Sequence, residues 1–275
     1  MMSTLQPIPT ELNLKLNNRH RKEGKKRIDP VKNPKSSEVK YRKTLLTLTK
    51  KIQSDINTQI LPLLRSLEFE YVSDGYATAF QIAFQRLQNS YEDLNTQAQF
   101  IARAFVYAID KANRDRFNRA VKNSIGVNLE GLVKTEGLED VLQATVQENV
   151  NLIVSIAAQY LKNVESIVYT GTVRGNSASS MIRLIQKAGK TTASRAKLIA
   201  RDQTSKLNSA ITQQRSQALG ATEYVWRTSG DEGVRKTHRE NNGKTFRWDD
   251  PPKKTGHPGE DILCRCIAQP VINLN

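Results

Sequence analysis

Two histidines and two cysteines lie within thirty residues of one another near the end of the sequence: His238, His257, Cys264 and Cys266. Two imidazoles and two thiols are the ligand set of a tetrahedral structural zinc site. The single residue between the thiols is a tighter spacing than the usual two to four residues. We therefore predict that the four side chains converge, with a bound zinc ion as one of the open alternatives.

Two other interpretations of this cluster stay open. In the first no metal is bound: His238 hydrogen-bonds Asp249 or Asp250, and the thiols pack as small hydrophobic groups. In the second the cluster is catalytic, either as a Cys–His nucleophile or as a metal-dependent hydrolase with an aspartate base. That reaction also needs a cleft and an oxyanion site, for which the sequence shows no pattern.

A short helix is predicted to present the first histidine. It covers residues 231–240 and follows a turn of serine and glycine. Asp231, Arg235 and His238 are spaced i, i+4 and i+7, which places them on one helical face. The first two form a favourable helical ion pair, because the acid is nearer the N-terminus.

Strands are predicted on both sides of this helix. Residues 222–228 are rich in aromatic and β-branched side chains, which is typical of a strand. Asn242-Gly243 indicates a hairpin turn. A last strand is expected at residues 262–268 and contains both cysteines. The sequence thus predicts a small α+β module at this end.

Helices are predicted ahead of the module. A hinge rich in glycine and serine leads into a short helix at residues 181–188 and a longer one at 192–219, which Gly220 ends. Arg201 and Asn208 are seven residues apart and share one side of the longer helix. We interpret them as structural polar groups.

The middle of the chain, residues 42–188, is predicted to be helical. Apolar residues recur there at steps of three and four, the spacing of one helical face. Pro62 is expected to end or bend the first of these helices. No histidine occurs between His20 and His238, so this region offers no catalytic pattern.

The first 41 residues form a basic segment. They contain ten Lys or Arg against four Asp or Glu, a net +6 of the total +15. Their four prolines disfavour a long helix or a packed core, so we predict an extended arm. The candidate nucleic-acid-binding residues are Lys15, Arg19, Arg21, Lys22, Lys25, Lys26 and Arg27.

Composition bounds the partners of this chain of 275 residues. A pI near 9.8 implies an anionic partner, either nucleic acid or an acidic protein ring. The mean hydropathy is −0.55, and no run approaches the roughly 18 apolar residues of a membrane span. No signal peptide is recognisable, so we expect a protein made and used in a cytoplasm.

The motifs of the last third also occur in a known order. They are Tyr224-Val225-Trp226-Arg227-Thr228, Asp231, Arg235, His238, Asn242-Gly243, Phe246, Asp249-Asp250-Pro251-Pro252, His257-Pro258-Gly259 and Cys264-Arg265-Cys266. This order resembles the C-terminal domain of the phage Mu F-like and SPP1-type minor head (head morphogenesis) proteins. The resemblance covers about residues 190–271.

The resemblance implies a few-copy phage head protein without enzymatic activity. Its expected partners are the portal, capsid or scaffold proteins and non-specific double-stranded DNA. It would assist procapsid assembly and DNA packaging or ejection, inside the head near the portal and in the host cytoplasm during assembly. The alternative is a nuclease or toxin-like hydrolase that uses the His/Cys/Asp cluster.

The predicted fold class is mainly α with a small α+β C-terminal domain. Three segments follow: an extended basic arm at residues 1–41, a helical region that docks on portal or shell at 42–188, and the terminal domain at 189–275.

Overall fold

The architecture is known from a computed structural model that describes residues 24–66, 75–129 and 137–274. Long helices dominate these residues, and a four-stranded antiparallel sheet accompanies them. The predicted fold class, mainly α with a small α+β terminal part, is confirmed. None of the described helices has the length and apolar content needed to cross a membrane.

Seven helices and four strands are described. In chain order they are β1 (Gly24–Arg27), α1 (Lys35–Gln59), α2 (Leu61–Ser66), α3 (Gly75–Asn89), α4 (Leu94–Ile125), α5 (Glu139–Val173), α6 (Ala178–Ala218), β2 (Glu223–Arg227), α7 (Lys236–Asn241), β3 (Thr245–Arg247) and β4 (Ile267–Leu274). Pro62 stands in the first turn of α2, where no helical N–H is required, so the predicted break is confirmed.

The apolar stripes of the middle region are buried, as their spacing predicted. Complete burial of one such Leu, Ile or Phe side chain stabilises the fold by about 1.5–3 kcal/mol. The buried members include Leu45, Ile52, Ile56, Phe80, Phe84, Leu87, Phe105, Ile109, Ile153, Ile156, Tyr160 and Val164.

One uninterrupted helix replaces the two that were predicted around residue 190. α6 runs straight through Gly189, so the predicted division is wrong. A Cβ atom at this glycine would stand 2.7 Å from Tyr160 Oη and 3.0 Å from Gln53 Nε2. The glycine therefore serves close packing rather than a helix break.

The expectation that residues 1–41 contain no packed core is wrong for residues 24–41. β1 pairs antiparallel with β4, and Ile28 and Val31, which follow it, are buried. Pairing with a strand about 245 residues away places this segment against a hydrophobic cluster that buries Ile28 and Val31, which local composition does not reveal. The first four predicted DNA-binding residues, Lys15, Arg19, Arg21 and Lys22, lie outside the described residues.

The sheet has the order β1-β4-β2-β3, with every neighbouring pair antiparallel. Tyr224 stands opposite Pro270 on one side and Phe246 on the other. β4 begins only at Ile267, so the strand predicted at residues 262–268 was placed too early. Both cysteines precede the strand.

The chain forms two compact units, each assembled from separate stretches. Among the described residues, those within 39–104 and 146–200 form the helical unit, and those within 1–38, 105–145 and 201–275 form the sheet unit. α1, α4, α5 and α6 contribute residues to both. The predicted domain limits at residues 41 and 188 remain a prediction. All four predicted zinc ligands belong to the sheet unit.

Candidate metal centre

His238 is carried by the short helix α7, which begins later than predicted. Residues 231–234 form a turn in which the Asp231 carboxylate accepts a hydrogen bond from Gly233 N at 3.0 Å. Asp231 is therefore outside the helix, and it pairs with Arg265 instead of Arg235. The predicted common helical face is wrong, because a side chain that caps its own turn competes with helix formation.

The cysteines lie in a loop that α6 holds in place. Leu263, just before the first cysteine, has a φ of 56°, in the left-handed region that costs an L-residue about 1–2 kcal/mol. Asp202 of α6 accepts a hydrogen bond from Leu263 N at 2.7 Å. Ser205, one turn further on, donates to the carbonyl oxygen of Cys264 at 2.5 Å. These two bonds offset the backbone strain.

Helix α7 and this loop bring three of the four predicted ligands together. His238 Nδ1 lies 3.4 Å from Cys264 Sγ and 3.5 Å from Cys266 Sγ. All three donor atoms lie within 4.8 Å of one another. Each of these residues is no more than 3% exposed. The group is thus close enough and dry enough to hold a metal ion.

The second nitrogen of His238 faces a carboxylate. Asp261 Oδ2 lies 3.3 Å from His238 Nε2, and Arg235 Nη1 lies 3.0 Å from the same oxygen. A proton on Nε2 that is donated to Asp261 leaves the Nδ1 lone pair directed at the sulfurs. The partner proposed from sequence was Asp249 or Asp250, but Asp249 pairs with Arg247 at 2.7 Å.

The two thiols differ in acidity. A hydrogen bond from Cys266 lowers the pKa of Cys264 to about 6, against the effect of burial. The backbone N–H of Gly259, which donates to Cys264 Sγ at 3.4 Å, lowers this pKa further. The same hydrogen bond with Cys264 raises the pKa of Cys266. Cys264 is therefore the more acidic thiol of the pair.

Trp226 borders the sulfurs. Its indole N–H is fully buried without a hydrogen-bond partner among the described residues, and its ring meets His238 edge-on at 5.4 Å. The indole lies close enough to Cys266 to lower the pKa of that thiol, although Cys264 dominates it. A buried N–H donor beside a sulfur favours the thiolate form that binds metals.

His257 is not part of this group. Its Nδ1 lies 3.0 Å from the hydroxyl of Tyr224, and its ring packs against Tyr224 and Trp248 at 5.5 and 5.4 Å. Burial lowers the pKa of His257. The predicted four-ligand set is therefore reduced to three. Sequence spacing alone does not distinguish a ligand from an imidazole that completes an aromatic core.

A second polar cluster lies deeper in the sheet unit. Asn208 is buried, donates to Val31 O at 3.2 Å and accepts from Asn113 at 3.0 Å. Arg215 of the same helix pairs with Asp110 at 2.7 Å and donates to Asn113 Oδ1 at 2.6 Å. Buried polar groups that satisfy one another in this way specify one packing arrangement.

Sequence reasoning found only part of this second cluster. Asn208 was identified as structural, as was Arg201, which is partly buried. Arg215, Asp110 and Asn113 were missed. A signal was available: polar residues at positions 208, 212 and 215 follow one face of α6.

The described part of the basic arm is a sheet edge. Lys25, Lys26 and Arg27 belong to β1, and Lys25 Nζ pairs with Glu223 at 2.7 Å. This pair lowers the positive charge that Lys25 can offer to another partner. The DNA-binding role of all seven basic residues stays a prediction.

The fold and the cluster define a mainly helical protein whose small α+β part is built around buried His and Cys side chains. Comparison with known families then identifies the relationship: residues 162–269 match the family described as Phage Mu protein F like protein. The resemblance predicted from the motifs is confirmed. The match begins within α5, before residue 190, where the resemblance was expected to start.

An uncharacterized protein of Haemophilus influenzae (strain ATCC 51907 / DSM 11121 / KW20 / Rd) is similar along most of the chain. It is 34% identical over 260 residues, which cover 94% of this chain and 58% of the relative. The chain thus spans little more than half the length of that protein. No solved structure matches this chain.

Proposed function

We propose that this chain is a structural, non-enzymatic protein of the phage head. The carrying observation is the match of residues 162–269 to the Phage Mu protein F like family. Assistance in procapsid assembly and in DNA packaging or ejection, a location near the portal and passage through the host cytoplasm belong to this proposal. The test is quantitative mass spectrometry of purified particles. A few copies per particle are expected, and complete absence from particles would refute the proposal.

Portal contact is assigned to the helical unit. Six of the eight large apolar side chains that are exposed in the described residues lie there, including Phe100 at 72% and Val173 at 88%. Exposed apolar groups of this size mark protein-binding surfaces when they are concentrated in one region. On this basis we assign docking on the portal, or on capsid or scaffold proteins, to a surface of the helical unit that includes these side chains.

Non-specific DNA contact is assigned to basic surfaces. Besides the arm, α6 carries Arg183, Lys187, Lys190 and Lys197, all exposed, at steps of four, three and seven residues. We name these four the α6 stripe; they follow one helical face over about 21 Å. No ion pair recorded for the described residues includes any of them, and the sequence contains no acid from residue 166 to 201.

Uncompensated cations in a line suit a phosphate backbone, because each neutralised phosphate releases condensed counterions. An acidic protein surface would be a patch of variable geometry, whereas duplex DNA presents a regular series of charges. The stripe therefore supports DNA as a partner even where the arm lies outside the described residues.

A hydrolase remains the second candidate. One observation favours it: the pKa of Cys264 is lowered to about 6, as in activated thiols. Against it stands the burial of His238, Cys264 and Cys266, since a substrate needs access to the sulfur. Incubation of the purified chain with duplex DNA and with ester substrates, with and without chelator, decides between the two. Turnover that Cys264→Ser abolishes would establish the enzyme.

A further inference from the structure

We infer that His238, Cys264 and Cys266 bind one zinc ion, with Asp261 as the residue that positions the histidine and with His257 excluded from coordination. This inference rests on the proposed structural role of the cluster and does not depend on a location in the phage head. It assigns the site a specific metal and a three-residue ligand set.

The distances between the donor atoms fit a tetrahedral metal site. Zn–S bonds of about 2.3 Å and Zn–N bonds of about 2.05 Å that meet at the tetrahedral angle place N and S about 3.6 Å apart. The distances from His238 Nδ1 are 3.4 Å to Cys264 Sγ and 3.5 Å to Cys266 Sγ. Little rearrangement is therefore required for a single ion to reach all three donors.

The charges of such a centre balance. Two thiolates and a neutral imidazole around Zn²⁺ sum to zero, so the buried site carries no net charge. The carboxylate of Asp261 lies outside this set, and Arg235 at 3.0 Å compensates it. Burial of an uncompensated charge would cost several kcal/mol, whereas this arrangement avoids that cost.

The surroundings supply the contacts that a zinc–thiolate centre uses. His238 Nε2 lies 3.3 Å from Asp261 Oδ2, the carboxylate–histidine arrangement that orients metal-binding imidazoles. Gly259 N donates to Cys264 Sγ at 3.4 Å. N–H donors to sulfur stabilise the deprotonated ligand.

The chemical softness of the three donor groups indicates which metal they bind. Two thiolates and an imidazole select zinc over the oxygen-preferring Mg²⁺ and Ca²⁺. The ion would join α7 to the loop before β4, two pieces that are otherwise linked through a proline-rich stretch. Since small modules gain folding energy directly from metal binding, the centre is a structural tie. Three protein ligands leave the fourth tetrahedral position open, which is the coordination of zinc sites that bind a water or another exchangeable donor.

The first experiment measures metal in the full-length chain. Elemental analysis of protein purified without chelator should find about one zinc per chain. Cobalt substituted into the same protein should show the intense charge-transfer absorption of thiolate ligands. The inference is overturned if the wild-type chain contains no zinc and its melting temperature does not change when zinc is added.

Variants then define the ligands. Cys264→Ser and Cys266→Ser should each lose the zinc, whereas the conservative His238→Cys should retain it, because sulfur replaces nitrogen as a donor. His257→Gln should also retain one zinc per chain, and loss of the metal in this variant would contradict the three-ligand set. Asp261→Asn should weaken zinc affinity about 10- to 100-fold in competition with a chelator. Unchanged affinity removes Asp261 from the assignment.

The outcome is separable from that of the proposed function. Zinc in the purified chain with no copies in particles would refute the head location alone. Copies in particles without zinc would refute the metal centre alone.

Discussion

Asp202 on α6 accepts a hydrogen bond at 2.7 Å from the backbone N–H of Leu263, the single non-glycine residue with a positive φ in the described chain. The bond fixes the loop that carries Cys264 and Cys266 against the long helix. The geometry of the cluster thus depends on a residue about sixty positions upstream.

We expect Asp202→Ala to lower the free energy of unfolding by about 1–2 kcal/mol, because a part-buried backbone N–H loses its acceptor. Asp202 also pairs with Lys206 at 2.9 Å, a partly exposed contact. Lys206→Ala is therefore the matched control and should change stability by less than about 1 kcal/mol. Urea unfolding measures both variants. Equal effects would show that the ion pair, not the loop, explains the result.

The buried pair of Arg215 and Asp110 should be strongly coupled. Asp110→Asn leaves the guanidinium of Arg215 buried beside a neutral amide and should cost about 3–5 kcal/mol. The double variant Asp110→Leu with Arg215→Met should lose less stability than the single variant Asp110→Asn, because it leaves no unpaired charge buried. Arg114→Ala, which removes the exposed partner of Asp110, is the control and should cost below about 1 kcal/mol. A double variant that is the least stable of the set would contradict the argument.

The α6 stripe should determine part of the salt dependence of DNA binding. The slope of log affinity against log salt is about −0.9 per neutralised phosphate. Lys187→Ala combined with Lys190→Ala should therefore make the slope shallower by about 2, measured by anisotropy with a labelled duplex. Lys253→Ala with Lys254→Ala removes the same charge from another exposed surface and should leave the slope unchanged. Equal slopes for the two double variants would exclude the stripe.

Portal binding should depend on the exposed apolar residues of the helical unit. Phe100→Ser with Val173→Ser should reduce co-purification with portal at least tenfold while the melting temperature stays within about 2 °C, since surface changes alter stability little. Ile262→Ser removes an apolar group that is 65% exposed in the sheet unit and should bind normally. If only Ile262→Ser impairs binding, the docking surface belongs to the sheet unit.

His257 should make stability depend on pH. Burial lowers its folded-state pKa below the ordinary 6.5, so the unfolded chain takes up a proton first as the pH falls. The stability is therefore present above pH 6.5 and declines as the pH drops through 6.5 toward the folded pKa. The neighbouring Glu260 and Trp248 backbone oppose this shift. The melting temperature of His257→Gln should fall less than that of the wild type between pH 7.5 and 5.5. Identical melting temperature profiles against pH would refute this role.

Periodicity predicted much of the helical part. Leu45, Ile52 and Ile56 are buried because their spacing matches one helical face, a property that local sequence encodes. Gly189 shows where such reasoning stops. The sequence predicted two helices with a gap around this residue, but the helix is continuous, and Tyr160, distant in sequence, occupies the space that a side chain there would need.

The candidate site was predicted by residue type and corrected by geometry. His238, Cys264 and Cys266 converge as expected, whereas His257 is held by Tyr224. The sequence offered Asp249 or Asp250 as the partner of His238, but the carboxylate beside it is that of Asp261, and Asp249 pairs with Arg247. Sequence alone does not show which of several nearby carboxylates faces the histidine, because the loop conformation decides their orientation.

The helical character of the chain, the family resemblance of its last third and the chemical types of the candidate ligands are readable from the sequence, because these depend on composition and short-range spacing. Tertiary structure alone decided which ligands meet, that residues 24–27 join the sheet, and that Asp202 and Ser205 support the cysteine loop. These contacts join residues far apart in the chain. Their selection depends on which packing satisfies every buried donor and acceptor at once, a condition that no short segment expresses.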